Sequence, residues 1–215
     1  MIRGGGRNQV KTIVLGSGSL AIRIADWFLN SPRFELLGVV RRQEEPEWDE
    51  KLSGWALEHG VTCWPGHTSV PGSGFLAFSC FYDKILDGDF IARCGLALNL
   101  HASPLPRYRG MRPVNWALKN GEREHGVTIH GIDEGVDSGP IYSQVKFTIW
   151  PEFDEVRDVY ERCLRYGWPL FTDTMERIES IVPTAQRDED ALTYYGRDAV
   201  GLGDRANWTR EESAA

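Results

Sequence analysis

The sequence is short of cysteine, of long apolar runs and of excess positive charge, and each shortage excludes something. Its four cysteines are Cys63, Cys80, Cys94 and Cys163, and no two stand at C-x-x-C spacing. That removes a zinc knuckle and a thioredoxin-type redox motif. Cys80 and Cys94 lie in or beside apolar runs and read as small buried hydrophobes. No apolar stretch approaches the roughly eighteen residues of a membrane span. Residues 1–11 are polar and glycine-rich and lack the apolar core of a signal peptide, so a cytoplasmic location is expected. Acidic residues outnumber lysine and arginine by 31 to 24. A general nucleic-acid binder needs the opposite balance, although a local basic patch could still hold a small anion. No metal is expected either. Asp133 and Asp137 share a glycine-bearing loop, but D-x-x-x-D-S-G-P lacks the alternating ligands and final glutamate of a calcium loop.

What is present reads as an ordinary globular chain of 215 residues. The expected division is a catalytic domain over residues 1–182 and an extension over 183–215 that wraps the surface. Residues 10–15 form an apolar strand, followed by a glycine turn and a helix running to residue 29. Ser31-Pro32 ends that helix, because proline disfavours helical backbone in the residue before it. Residues 34–40 form a second strand. Strand, turn, helix and strand make a βαβ unit, which implies a parallel sheet with right-handed crossovers. The fold class expected is α/β: a Rossmann-like, mostly parallel sheet with helices on both faces. Residues 44–50 are an acidic surface stretch, and 51–59 suit a helix. Further strands are expected at 61–64, 75–81, 96–100, 126–132 and 140–149. Helices are expected at 85–92, 113–119 and 154–181, the last with one apolar face.

Three places could carry chemistry. Gly16-Ser17-Gly18-Ser19-Leu20-Ala21 fits G-x-G-x-x-A between a strand and a helix. Such a turn can present backbone amides to a phosphate. A dinucleotide site would then want an acid after the second strand, where Val40-Arg41-Arg42 stands instead. A tight turn that simply needs glycine is the plainer alternative. Gly16, Ser17 and Gly18 therefore stand as candidates for a substrate phosphate, with a NADP enzyme as a distant alternative. The second place is Asn99 and His101, which leave one face of a strand because side chains alternate. That strand runs into a loop carrying Ser103, Arg107, Arg109 and Gly110, beside which Arg112 completes a basic patch. The third is the loop of Asp133, Glu134, Gly135, Val136 and Asp137. By itself it is a turn more often than a site.

The run N-L-H-A-S-P-L-P-R-Y-R-G-M-R-P-V-N-W, followed by H-G-V-T-I-H-x-I-D-E-G-V-D-S-G-P-I, resembles the folate-dependent formyltransferases. These include glycinamide ribonucleotide, methionyl-tRNA and nucleotide-linked amino-sugar formyltransferases. Asp137 follows Asn99 by the thirty-eight positions typical of that family. The stretch from Gln186 to Arg197, and Trp208, is similar to the segment after the catalytic domain in amino-sugar formyltransferases. Two departures are visible. The family's S-L-L-P is Ser103-Pro104-Leu105-Pro106, which loses one amide donor. The connection between the third and fourth strands is short and rich in proline and glycine.

The resemblance implies 10-formyltetrahydrofolate as cosubstrate, with no metal. It implies a pterin cleft formed by Phe81, Tyr82, Ile85 and Leu86 together with Asp133, Glu134, Gly135 and Val136. It implies catalysis by Asn99, His101 and Asp137. Formyl transfer passes through a tetrahedral oxyanion. Asn99 can donate to that oxygen, His101 can donate and shuttle a proton, and Asp137 can accept the amine proton. Gly16, Ser17, Gly18, Ser103, Arg107, Arg109 and Gly110 are the candidates for holding the amine substrate, a sugar nucleotide by preference. Hydrolysis of the same donor, formylation of glycinamide ribonucleotide or methionyl-tRNA, and a non-catalytic folate- or nucleotide-binding protein are the alternatives. The chain is acidic and stops short of the basic β-barrel of the methionyl-tRNA enzymes, and the eleven polar residues at its start cannot make the regulatory domain that deformylases carry there. Both points favour the sugar reading. A homodimer through the long C-terminal helix and the aromatic tail is a further expectation.

Overall fold

The computed structural model describes residues 9–45 and 49–209. Residues 1–8 of the polar N-terminus, 46–48 of the acidic stretch and 210–215 of the extension lie outside the described residues. The chain forms two compact units, Met1–Leu100 with Arg177–Ile181, and His101–Glu176 with Val182–Ala215.

The first unit is a parallel sheet. Its strands are β1 (Val10–Gly16), β2 (Phe34–Arg41), β3 (Cys63–Trp64), β4 (Phe75–Cys80) and β5 (Cys94–His101). They lie in the order β3-β2-β1-β4-β5, all parallel. Central β1 is apolar because both its faces are covered: Ile13, Val14 and Leu15 are fully buried. Helix α1 (Gly18–Leu29) packs on β1 and β2, and α2 (Leu52–Glu58) packs on β2 and β3. Phe28 of α1 meets Phe34 edge to face at 5.1 Å and lies 6.3 Å from Phe78 of β4. These rings join helix and sheet into one core. The α/β class with a mostly parallel sheet is as expected.

Strand order reverses direction between β1 and β4, so their carboxyl ends form a topological switch point. Gly16 ends β1 there. A Cβ on it would stand 2.1 Å from the Cys80 carbonyl oxygen, so only glycine lets the two strand ends approach. Phe81 follows β4 with a positive φ of 58°, which ends the strand one residue earlier than alternation suggests. The helix expected at 85–92 begins later, as α3 (Gly88–Arg93), because Asp87 accepts the Phe90 N–H at 2.8 Å and caps it. The connection at 65–74 contains a single 3-10 turn, His67–Ser69.

The second unit opens on His101, the last residue of β5. It contains the short strand β6 (Arg109–Gly110), helix α4 (Pro113–Lys119), the antiparallel pair β7 (Glu124–Gly131) and β8 (Ile141–Thr148), and helix α5 (Val156–Glu176). Helix α5 is shorter than the expected 154–181. Asp154 is turned to other duty just before it, accepting the Trp150 N–H at 2.7 Å and both Arg162 N–H groups at 2.6 Å.

The segment after α5 pairs with other elements of its unit. Thr184 and Ile141 exchange two backbone hydrogen bonds of 2.8 Å. Strand β9 (Thr193–Tyr194) pairs in parallel with β6. Tyr194 stacks on Trp116 with ring centroids 4.1 Å apart. Residues 184–194 thus form a strap whose ladder partners belong to the unit's interior. No helix among the described residues is long and apolar enough to cross a membrane.

Candidate active site

His101 and Asp137 meet in the second unit. His101 Nδ1 lies 3.5 Å from Asp137 Oδ2, and His130 Nε2 lies 3.4 Å from Oδ1. The Gly110 N–H donates to Oδ2 at 2.8 Å. One carboxylate is therefore held between two imidazoles and a backbone amide. Burial pushes the Asp137 carboxyl up, but the neighbouring His101, His130 and the Gly110 amide outweigh it, so the group is held well below the usual carboxylate range.

The orientation of both rings follows from their other nitrogens. His101 Nε2 is 2.8 Å from the Tyr108 carbonyl oxygen, and His130 Nδ1 is 2.7 Å from the Gly131 carbonyl oxygen. A carbonyl only accepts, so each of those nitrogens carries hydrogen. The nitrogens facing Asp137 are then His101 Nδ1 and His130 Nε2. Asp137 itself sits at φ 48°, a left-handed conformation uncommon outside glycine. Such backbone strain persists only where surrounding contacts hold it.

Asn99 lies two residues before His101 on β5, beside Ser79 of β4. Strand alternation sends Asn99 and His101 from the same face.

The loop after His101 is laced onto β7 and β8. Thr128 Oγ1 donates to the Ser103 carbonyl at 2.7 Å and accepts from the Leu105 N–H at 3.2 Å. Gln144 donates to the Leu105 carbonyl and to Thr128 Oγ1, both at 2.8 Å. Fully buried His125 donates Nε2–H to the Ala102 carbonyl at 2.8 Å, while its Nδ1 has no partner.

Burial lowers the His125 pKa from 6.5 to about 4. The sign follows: below pH 6.5 the unfolded chain binds a proton that the folded chain refuses, so stability is full above that pH and falls as the pH drops toward 4. Between pH 7 and 5 this one group removes about 2 kcal/mol of stability. Urea unfolding of the parent and of His125→Gln at both pH values checks it. An equal acid loss in the two proteins would remove His125 as the cause.

The substrate-binding candidates fare unequally. Ser103 is fully buried, and its Oγ donates to the Arg107 carbonyl at 2.9 Å, so it braces the loop instead of facing a ligand. Arg109 is likewise internal. Its Nε donates to Gln186 at 3.0 Å and its Nη1 to Asp188 at 3.1 Å. Arg107 pairs with Glu122 and lies over the Tyr108 ring at 5.5 Å. Arg112 reaches the Ala206 carbonyl at 3.3 Å. The basic patch is thus largely engaged with the protein. Gly110 serves Asp137 directly through its N–H.

In the first unit, the Ser19 N–H at the start of α1 donates to Asp49 Oδ1 at 3.1 Å. A Cβ on Gly18 would meet Asp49 Oδ2 at 2.2 Å. A carboxylate of the protein therefore stands at the turn of Gly16, Ser17 and Gly18, where a substrate phosphate was expected. Of the pterin candidates there, Leu86 is buried and Ile85 exposed. Tyr82 is held by His67, whose Nδ1 lies 3.2 Å from the phenol oxygen and whose Nε2 lies 3.0 Å from Asp87. Asp133, Glu134 and Gly135 form the exposed tip of the loop in the second unit, and Val136 is half-buried. Asp133 Oδ1 accepts from the Gly135 N–H and from Ser138.

Sequence reasoning assigned no role to His130, Thr128, Gln144 or Gln186. The first three left a trace, polar residues within otherwise apolar strands. Gln186 left none, because its partners are forty-seven to seventy-seven residues away.

The imidazole–carboxylate cluster, built on a strand end and a glycine loop, is an arrangement suited to acid–base chemistry. Residues 76–174 match the formyl transferase family model. Methionyl-tRNA formyltransferase of Geobacter metallireducens is 37% identical over 98 residues, covering 46% of this chain and 31% of the relative. That of Streptococcus pyogenes is 27% identical over 186 residues, covering 78% and 58%. The chain thus spans between about a third and three-fifths of the length of these curated relatives. Among solved structures, the sugar 3N-formyl transferase WlaRD has a TM-score of 0.80 and 25% identity, covering 89% of this chain and 71% of that one. The formyltransferase PseJ from Anoxybacillus kamchatkensis has a TM-score of 0.62 and 25% identity, covering 94% and 97%.

Proposed function

We propose that this chain transfers a formyl group from 10-formyltetrahydrofolate to the primary amine of a nucleotide-linked amino sugar. The observation that carries the reading is the His101–Asp137 pair, 3.5 Å apart, within a domain matching formyl transferases. WlaRD was solved in the presence of dTDP and 5-N-formyl-THF, and PseJ with a UDP-linked formamido sugar and tetrahydrofolate. Both support the folate donor and the sugar acceptor. The methionyl-tRNA enzymes support the donor alone.

In this reading the amine nitrogen attacks the formyl carbon and the carbonyl oxygen becomes an oxyanion. Asn99 donates its amide N–H to that oxygen. Asp137, kept ionised by its surroundings and held beside His101, accepts the proton from the attacking nitrogen. The carbon–nitrogen bond to the folate then breaks, and the folate nitrogen takes up a proton as it leaves. The pterin-binding candidates are Phe81, Tyr82, Ile85 and Leu86 in the first unit and residues 133–136 in the second. Gly16, Ser17, Gly18, Arg107 and Gly110 remain candidates for the acceptor side. There the Asp49 carboxylate would have to leave the glycine turn before a phosphate could take its place.

The test is incubation with 10-formyltetrahydrofolate, with and without a panel of amines, following tetrahydrofolate release by absorbance. Release that requires a sugar-nucleotide amine is the expected result. Release without any amine would make the chain a hydrolase. No release under any condition would remove both activities and leave a binding protein.

A further inference from the structure

We propose that Gln186, on the strap that follows α5, is a positioning residue that holds the Asp137 loop in its reactive shape. The inference rests on the formyl-transfer reading for its kinetic arm only.

The geometry leaves the carboxamide one orientation. Its Oε1 accepts from Arg109 Nε at 3.0 Å, and an arginine can only donate. Its Nε2 then faces the other way and donates to two carbonyls, Asp137 at 2.8 Å and Gly139 at 2.7 Å. Every hydrogen on Nε2 is used. The two carbonyls flank Ser138, so one side chain clamps both ends of the turn that displays the Asp137 carboxylate. Asp137 is the residue with the left-handed φ of 48°, a conformation that needs outside support. A Cβ on Gly139 would stand 1.9 Å from the Gly131 carbonyl oxygen, so glycine is needed for the loop to lie this close to β7.

The other end of the clamp reaches the same carboxylate from the opposite direction. Arg109, which anchors Gln186, is followed by Gly110, whose N–H donates to Asp137 Oδ2. The strap holds that turn as well: the Arg109 N–H donates to the Leu192 carbonyl and the Met111 N–H to the Tyr194 carbonyl, both at 2.8 Å. The strap therefore fixes the backbone carrying Asp137 and the amide that receives its oxygen. Gln186 touches the Asp137 loop directly and the Gly110 turn through the Arg109 side chain. A shift of the loop would lengthen the His101–Asp137 distance without removing either group.

Two variants separate the roles of the carboxamide. Gln186→Glu keeps the acceptor for Arg109 but loses both donors and turns a carboxylate oxygen toward two carbonyls. Gln186→Met keeps the length and loses everything polar. The expected result in both is a kcat about tenfold to a hundredfold lower, as for a catalytic group displaced by a fraction of an ångström. The KM for the folate donor stays within about twofold, because the loss falls on the transition state. In parallel, the ring 15N and 1H signals of His101, assigned with His101→Gln, shift in both variants relative to the parent. That arm needs no activity, so absence of formyl transfer in the parent overturns the proposed function and leaves this inference still readable. Unmoved His101 signals, or a kcat unchanged in Gln186→Glu, overturn the inference. So does loss of dispersed amide spectra in both variants, which would make Gln186 a folding residue.

Discussion

Replacing His101 with alanine is expected to lower kcat by about two to four orders of magnitude. The donor's binding changes little, because the imidazole meets the reacting atoms and not the pterin. The size of the loss has a structural reason. His101 is not an exposed histidine on a mobile tether. Its Nε2–H is tied to the Tyr108 carbonyl and its Nδ1 faces Asp137, so the ring is fixed beside the carboxylate. The measurement is steady-state turnover with the best amine, alongside a donor titration by fluorescence. A kcat within a few-fold of the parent would sink the mechanism. Asp137→Asn should fall similarly, and the double variant should lose little beyond either single one, as for residues acting as a unit.

Replacing Gly110 with alanine is expected to damage stability and turnover together. The residue has φ 86°, a region costly for any side chain, and its Cβ would stand 2.1 Å from the Tyr194 carbonyl oxygen. Strain and displacement of the strap should cost about 2 kcal/mol or more in a urea melt. Because the Gly110 N–H also holds Asp137, the surviving folded enzyme should turn over about tenfold more slowly. A variant with the parent's midpoint and the parent's kcat would show that the β6–β9 contact has no bearing on the site.

The outcome at Gly110 bears on how its role can be recognised. A basic-glycine turn after an N-x-H strand is visible in the sequence. That its amide points at Asp137 is not, because a backbone donor leaves no residue signature. The same holds along the loop after His101. Two prolines and a serine announce a turn, but Thr128, Gln144 and His125 decide its path, and all three lie on the β7–β8 pair. Arg109 shows the opposite error. Its charge and position suggested a ligand for phosphate, but burial has turned it inward as a structural tie.

Alternation, glycine and proline determined locally where most strands and helices lie, since those preferences act over a few residues. They also put Asn99 and His101 on one face of a strand, and the spacing to the D-S-G-P loop named Asp137. Tertiary structure alone decided the rest. It placed His130 on the second oxygen of Asp137, and it set Asp49 at the glycine turn. It also made residues 184–194 a strap instead of a tail. The physical reason is common to all of these. Each depends on a hydrogen bond or ion pair between residues far apart in the chain, and such a bond exists only once folding has buried its partners beside each other.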